Sequence, residues 1–233
     1  MKLEICANSY QSAINAQNAG ANSIELCSEL SVGGVTPSYS LLKRVSENIT
    51  IPVNVLIRPR SGDFYYANSE FEQIKEDIKI CKKLGFTGIV SGILNADNTI
   101  NIARTRELIR VSKPLSFTFH RAFDCVQNPI KALEILIDLG VDKILTSGLQ
   151  EKAENGIELL KELHQLANSR LIILAGSGIS FKNAHLFKEA GLTEIHSSAS
   201  KVIATSNVFF DKTRQTISDI EAIQKILKVI RDK

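Results

Sequence analysis

The chain is read as α/β class, a single (β/α)8 TIM barrel spanning residues 1–233, on three observations. Short β-rich runs alternate with amphipathic helical stretches throughout, giving eight βα units averaging about 29 residues. Four helices close on the same pattern, at Gly20, Gly85, Gly140 and Gly191, each placing a left-handed glycine just before the next strand. No linker or shift of composition divides the chain. A doubly wound open sheet is the competing arrangement. It would favour a glycine-rich phosphate fingerprint after the first strand, and Cys6-Ala-Asn-Ser-Tyr is not one.

Taken in order, strands are expected at 3–6, 23–27, 53–58, 87–91, 115–120, 143–147, 171–175 and 194–197. The clearest helices are 70–84, 129–139 and 155–166, and 216–230 reads as a closing helix. Thr36 is a plausible N-cap with Pro37 at the first helical position.

Composition removes several classes. With 28 Lys+Arg against 25 Asp+Glu, the net charge of +3 comes without a basic run, and aromatics are few, which argues against a nucleic-acid partner. Apolar stretches such as 171–175 fall far short of the roughly 18 residues of a membrane span. The first ten residues carry Glu4 and Asn8 and lack the apolar core of a signal peptide. Four cysteines without CxxC spacing fit reduced thiols and a cytoplasmic location. Cys81 and Cys125 receive no role, and His164 and His185 fall in helices where packing is the plainer reading.

Strand alternation then sorts the side chains. Leu3 and Ile5 oppose Glu4 and Cys6, and Ile24 and Leu26 oppose Glu25 and Cys27, so Glu-x-Cys occurs twice, 21 residues apart. If the apolar set faces the helices, both Glu and both Cys point inward. Asn54, Leu56, Arg58, Ser116, Thr118, His120, Glu194, His196 and Ser198 follow by the same logic. Barrel interiors are normally filled by branched apolar residues, so this polar set calls for a reason. Glu is rarely buried unpaired, and the plain explanation for Glu4 and Glu25 is a structural ion pair with Arg58.

Loops after the strands are where such barrels place function. Arg58-Pro59-Arg60 suits a bidentate grip on a carboxylate or phosphate. His120-Arg121-Ala122-Phe123-Asp124, Thr146-Ser147-Gly148, Gly176-Ser177-Gly178 and His196-Ser197-Ser198 follow four later strands. Glycine-rich turns after strands seven and eight commonly seat phosphate. A Schiff-base mechanism is disfavoured, because Lys143 opens its strand on the wrong face and Lys201 lies beyond the last strand. No nucleotide-cofactor fingerprint is present.

Together Leu26-Cys27, Gly33-Gly34-Val35-Thr36-Pro37-Ser38, Ile57-Arg58-Pro59-Arg60-Ser61-Gly62-Asp63-Phe64, His120-Arg121-Ala122-Phe123-Asp124, Leu145-Thr146-Ser147-Gly148 and Glu194-Ile195-His196-Ser197-Ser198-Ala199 resemble the CutC copper-homeostasis family over roughly residues 1–200. Ser61 and Ser177 stand where the family pattern suggests Gly. The resemblance implies a (β/α)8 barrel, a cytoplasmic location, a homo-oligomer and copper as the partner.

Two functions are therefore expected. In the first, Cys6 and Cys27 hold Cu(I), a soft ion that favours thiolates. In the second, the chain is an enzyme with isomerase or lyase chemistry on a small anionic or phosphorylated metabolite. Arg58, Arg60, Arg121, Ser147, Gly148, Gly176, Gly178, Ser197 and Ser198 would bind it. His120 or His196 would act as general acid/base, with Glu4, Glu25 or Asp124 as partner.

Overall fold

Alternation along each strand decides which residues meet the helices and which fill the barrel. A computed structural model describes residues 1–209 and 213–232. Eight parallel strands form the wall: β1 (Lys2–Ala7), β2 (Ser23–Leu26), β3 (Val53–Leu56), β4 (Gly88–Ser91), β5 (Ser116–Phe119), β6 (Lys143–Thr146), β7 (Ile172–Ala175) and β8 (Glu194–Ser197). They pair in sequence order, and β8 returns to β1 to close the barrel. The predicted (β/α)8 TIM barrel is the fold observed.

The outward set of Leu3, Ile5, Ile24, Leu26, Val55, Ile89, Phe117, Phe119, Ile144, Ile173 and Ile195 belongs to one large core shared with the helices. A separate small apolar cluster of Cys6, Cys27, Leu56 and Val90 sits inside the wall. Burial of each large aliphatic or aromatic side chain contributes about 1.5–3 kcal/mol, so the outer core carries the fold and the interior is free for polar groups.

The helices are α1 (Tyr10–Ala19), α2 (Tyr39–Asn48), α3 (Asn68–Lys83), α4 (Ile102–Ser112), α5 (Pro129–Asp138), α6 (Ile157–Ala167), α7 (Ala184–Glu189) and α8 (Ile220–Arg231). None is long and apolar enough to cross a membrane. Gly20, Gly85, Gly140 and Gly191 all take left-handed φ between 76° and 85°, as their place after a helix requires.

Two local expectations are corrected. The cap of α2 is Ser38, whose hydroxyl accepts from Leu41 N. Thr36 Oγ1 instead accepts from Arg58 N (2.9 Å) and donates to Arg58 O (3.1 Å), tying the loop after β2 to the end of β3. Residues 216–218 are strand, not helix: β10 (Arg214–Ser218) pairs antiparallel with β9 (Ser200–Thr205). Side chains of the first unit claim the backbone there. Asn8 Nδ2 reaches Thr216 O (3.3 Å), Asn15 Nδ2 reaches Ser218 O (2.8 Å) and Ser12 Oγ accepts from Ser218 N (3.1 Å). Helix α8 begins only after Asp219, its N-cap.

Candidate functional site

Residues at the starts of the strands form the base of the interior. Lys143 Nζ is ion-paired with Glu194, which also meets Lys2 Nζ at 3.4 Å. Lys143 thus faces into the barrel, correcting the sequence-based placement; its long side chain neutralises a buried carboxylate. It remains at the end of the barrel opposite the loops that follow the strands.

Above it, Glu4 accepts from Asn54 Nδ2 (2.6 Å) and Ser23 Oγ (3.2 Å) and meets His196 Nδ1 at 3.1 Å. Burial raises the Glu4 carboxyl, but the bond to His196 and the positive charges of His196 and Lys143 bring it below its ordinary value. Burial opposes charge on His196 too, yet Glu25 and Glu4 hold it above the ordinary imidazole value. Both shifts favour the charged forms of Glu4 and His196 as partners. The expected ion pair of these carboxylates with Arg58 is not what the structure contains, because His196, across the β1–β8 seam, is nearer.

Glu25 sits beside Cys6, whose Sγ lies 3.7 Å from Glu25 Oε1. Burial pushes the Glu25 carboxyl up to about 7, against the pull of His196. Cys6 Sγ and Cys27 Sγ are 3.6 Å apart, both thiols buried and free. The contact with Cys27, burial and the nearby carboxylates hold the Cys6 thiol well above its ordinary value. One donor atom each from Cys6, Glu25 and His196 falls within 4.8 Å of the others, a set suited to a metal ion.

Beyond this floor opens a cavity of about 650 Å³. Cys6, Glu25, Arg58, His120, Arg121, Asp124, Gly178, His196, Ser197 and Ser198 reach it, with Leu56, Phe64, Leu145 and Ile179 as apolar walls. Glu4 and Cys27 touch lining residues without lining it themselves.

Arg58 is held by carbonyls. Nη1 donates to Val32 O and Gly34 O (both 2.9 Å) and Nη2 to Gly62 O (2.8 Å), so it knits the loops after β2 and β3. Its guanidinium lies 5.1 Å from the Phe64 ring centroid. Arg60 turns elsewhere: Nε donates to Glu70 (2.6 Å) and Nη2 to Asp63 (3.0 Å), and the side chain does not line the cavity. The structure does not bring the two arginines together as a clamp.

His120 directly follows β5 and caps the short 3-10 helix Arg121–Cys125. Its Nδ1 accepts from Ala122 N (3.2 Å), so Nε2 carries the ring hydrogen. Burial, reinforced by Arg58, lowers its pKa to about 3, leaving the imidazole neutral.

Asp124 is engaged as a structural knot. It accepts from Thr146 Oγ1, Ser147 N (3.0 Å), Leu149 N (3.2 Å) and Arg121 Nε (2.7 Å). Ser147 accepts from Arg121 Nη2 (2.9 Å) within the same knot. Gly148 and Gly176 are set for packing: an added Cβ would come within 2.4 Å of Gly156 O and 2.6 Å of Leu145 Cδ1. Ser197 Oγ donates to Ile179 O (2.6 Å), bracing the loop after β7. Strand alternation places Leu56 inward, but sequence reasoning does not single out Phe64, Leu145 or Ile179 as lining; Phe64 is visible only as part of the motif following Arg58.

A closed parallel barrel whose strand ends open on a cavity with a polar, partly charged floor defines a TIM-barrel protein. More specifically, the chain belongs to the CutC family, whose family model matches residues 1–201. The family protein CutC of Photorhabdus laumondii subsp. laumondii is 48% identical over 208 residues, covering 89% of this chain and 84% of that protein. Its counterpart in Pectobacterium atrosepticum is 50% identical over 198 residues, covering 85% and 78%. Among solved structures, CutC of Streptococcus agalactiae, a protein named for copper homeostasis, superposes with a TM-score of 0.81 at 32% identity, covering 85% of this chain and 98% of that one.

Proposed function

We propose that this chain is a cytoplasmic copper-handling protein that binds Cu(I) at the barrel floor through Cys6 and Cys27. The observation carrying the reading is the 3.6 Å separation of the two buried sulfurs. Two thiols this close, with His196 and Glu25 beside Cys6, form the kind of soft, desolvated donor set that Cu(I) favours over harder ions. Because the Cys6 thiol is held protonated, an arriving ion must displace its proton, and Glu25 lies within reach of that sulfur to accept it. The name of the Streptococcus agalactiae relative points the same way.

Anaerobic competition with a Cu(I) chelator tests it on wild type, Cys6→Ser/Cys27→Ser and Arg58→Ala. Tight stoichiometric binding should vanish in the double variant and survive in Arg58→Ala. Unchanged binding without the two cysteines overturns the site.

A second reading is acid–base enzyme chemistry, isomerase or lyase in type, on a small anionic metabolite. It is favoured by Glu25, at about 7, facing the same cavity as His120 and Arg58. A metabolite mixture that raises the Tm of wild type but not of Arg58→Ala would support it, and an equal shift in both would count against it.

A further inference from the structure

Cys6, Glu25 and His196 bring three kinds of donor together at the cavity floor: sulfur, carboxylate oxygen and imidazole nitrogen. One donor atom from each lies within 4.8 Å of the others, and all three residues border the cavity. Metal–ligand lengths of about 2.0–2.3 Å put the donors of a tetrahedral ion about 3.3–3.8 Å apart, so side-chain movements of about an ångström close the set around one ion.

Two features of the surroundings suit an ion better than packing. His196 Nδ1 meets Glu4 Oε1 at 3.1 Å, which leaves Nε2 for the ligand role. A carboxylate behind the imidazole is the usual support of a metal-binding histidine, because it fixes the tautomer and strengthens the donor. Glu25 is under-satisfied for a buried carboxyl. Its Oε1 meets only the weak thiol donor of Cys6, at 3.7 Å, and Oε2 has no hydrogen-bond partner among the described residues. Charge balances as well. A Cys6 thiolate and a Glu25 carboxylate together neutralise a divalent cation, and such a cation favours loss of the proton that burial otherwise keeps on Cys6.

We propose that Cys6, Glu25 and His196 bind a zinc-class divalent ion, with one coordination position left for a ligand in the cavity. One sulfur, one nitrogen and one oxygen make the mixed donor set that Zn2+ accepts, and three protein ligands are the pattern of a site that keeps its fourth position open. Cys27, 3.6 Å from Cys6, neither lines the cavity nor belongs to the set. Cu(I) is drawn to the two sulfurs, whereas the divalent ion needs only one of them. The two ions share Cys6 and are alternative occupants of the floor; the zinc-class site does not require the copper reading.

Co2+ and Zn2+ titrations of the full-length chain test it. Co2+ should bind one per chain, with the intense visible bands of a four-coordinate ion and a sulfur-to-metal charge-transfer band of one thiolate's strength. Azide should alter the visible bands by entering the open position. Zn2+ affinity, measured by chelator competition, should fall about tenfold or more in Cys6→Ser and stay within about threefold in Cys27→Ser. Glu4→Gln, which touches only the support of His196, should weaken Zn2+ by about 10–100-fold. If Cys6→Ser fails to fold, the wild-type Co2+ spectrum and Cys27→Ser still decide. A missing charge-transfer band, one of two-thiolate strength, visible bands indifferent to azide, or a Zn2+ loss in Cys27→Ser of about tenfold or more overturns the proposal. Cys27→Ser should lose Cu(I) while keeping Zn2+, so failure of the copper site and failure of this one are separately visible.

Discussion

Replacing Glu25 by Gln should make the protein more stable relative to wild type as the pH rises. The Glu25 carboxyl is buried and moved from its ordinary value of 4.5 to about 7, so the folded state holds its proton more tightly than the unfolded chain does. Stability contributed in this way is complete below 4.5 and is lost as pH climbs through about 7. At about 1.4 kcal/mol for each tenfold change, the loss in wild type reaches about 3 kcal/mol by pH 8. Gln cannot ionise and escapes it. The charges facing Glu25 modify the size: His196 attracts its carboxylate, while Glu4 repels it. Urea unfolding of both proteins followed by circular dichroism, from about pH 4.5 to about pH 8, measures the difference directly. The gap should widen by about 2–3 kcal/mol across that range. A gap constant with pH would refute the reasoning, since it would mean that Glu25 titrates alike in both states.

Two further outcomes follow from the geometry. Gly88→Ala would place a Cβ 2.2 Å from Asn54 Oδ1 and 2.3 Å from Ser116 Oγ, inside the barrel where neither can retreat freely. It should destabilise by about 1–3 kcal/mol and lower the Tm by several degrees, and an unchanged Tm in a thermal scan would contradict the packing. Asp124→Asn leaves one oxygen for the Ser147 and Leu149 amides but puts an NH2 donor where Oδ2 met Arg121 Nε, and it removes the charge paired with Arg121, loosening the knot. It should destabilise by about 2–4 kcal/mol and speed hydrogen exchange at those two amides; intact protection would show that the knot is not held by Asp124.

Period-two alternation is a strong signal when one side of a strand must be apolar, so the eight strands and the inward course of Glu4, Cys6, Glu25, Cys27, His120 and His196 could be read from sequence. Partners were harder. Arg58 and Arg60 flank one proline and look equivalent, yet Thr36 and three carbonyls hold the first while Glu70, ten residues on, takes the second. Asp124 looked like a base because nothing in the sequence shows Thr146, Ser147, Leu149 and Arg121 converging on one carboxylate after folding. Residues 216–218 read as helix by amphipathic spacing, and their strand state depends on Asn8, Ser12 and Asn15, some two hundred positions away. Side-chain direction is local and therefore legible. Which donor meets which acceptor depends on the closed ring.

That ring must also be joined at one place last. Eight short parallel strands of similar composition offer many ways to mate, and apolar contact alone tells one neighbour from another poorly. The seam between β8 and β1 carries its own key: Glu4 stands opposite His196 in the register, while Glu194 on the same face reaches back to Lys143 on β6. Sliding β8 by a single residue would turn His196 out among the helices and leave Glu4 and Lys143 each without its counter-charge in the interior. The polar column down the axis thus serves as a proofreading device for assembly. It rejects misregistered closure by the same charges that, once correctly mated, shape the floor of the cavity.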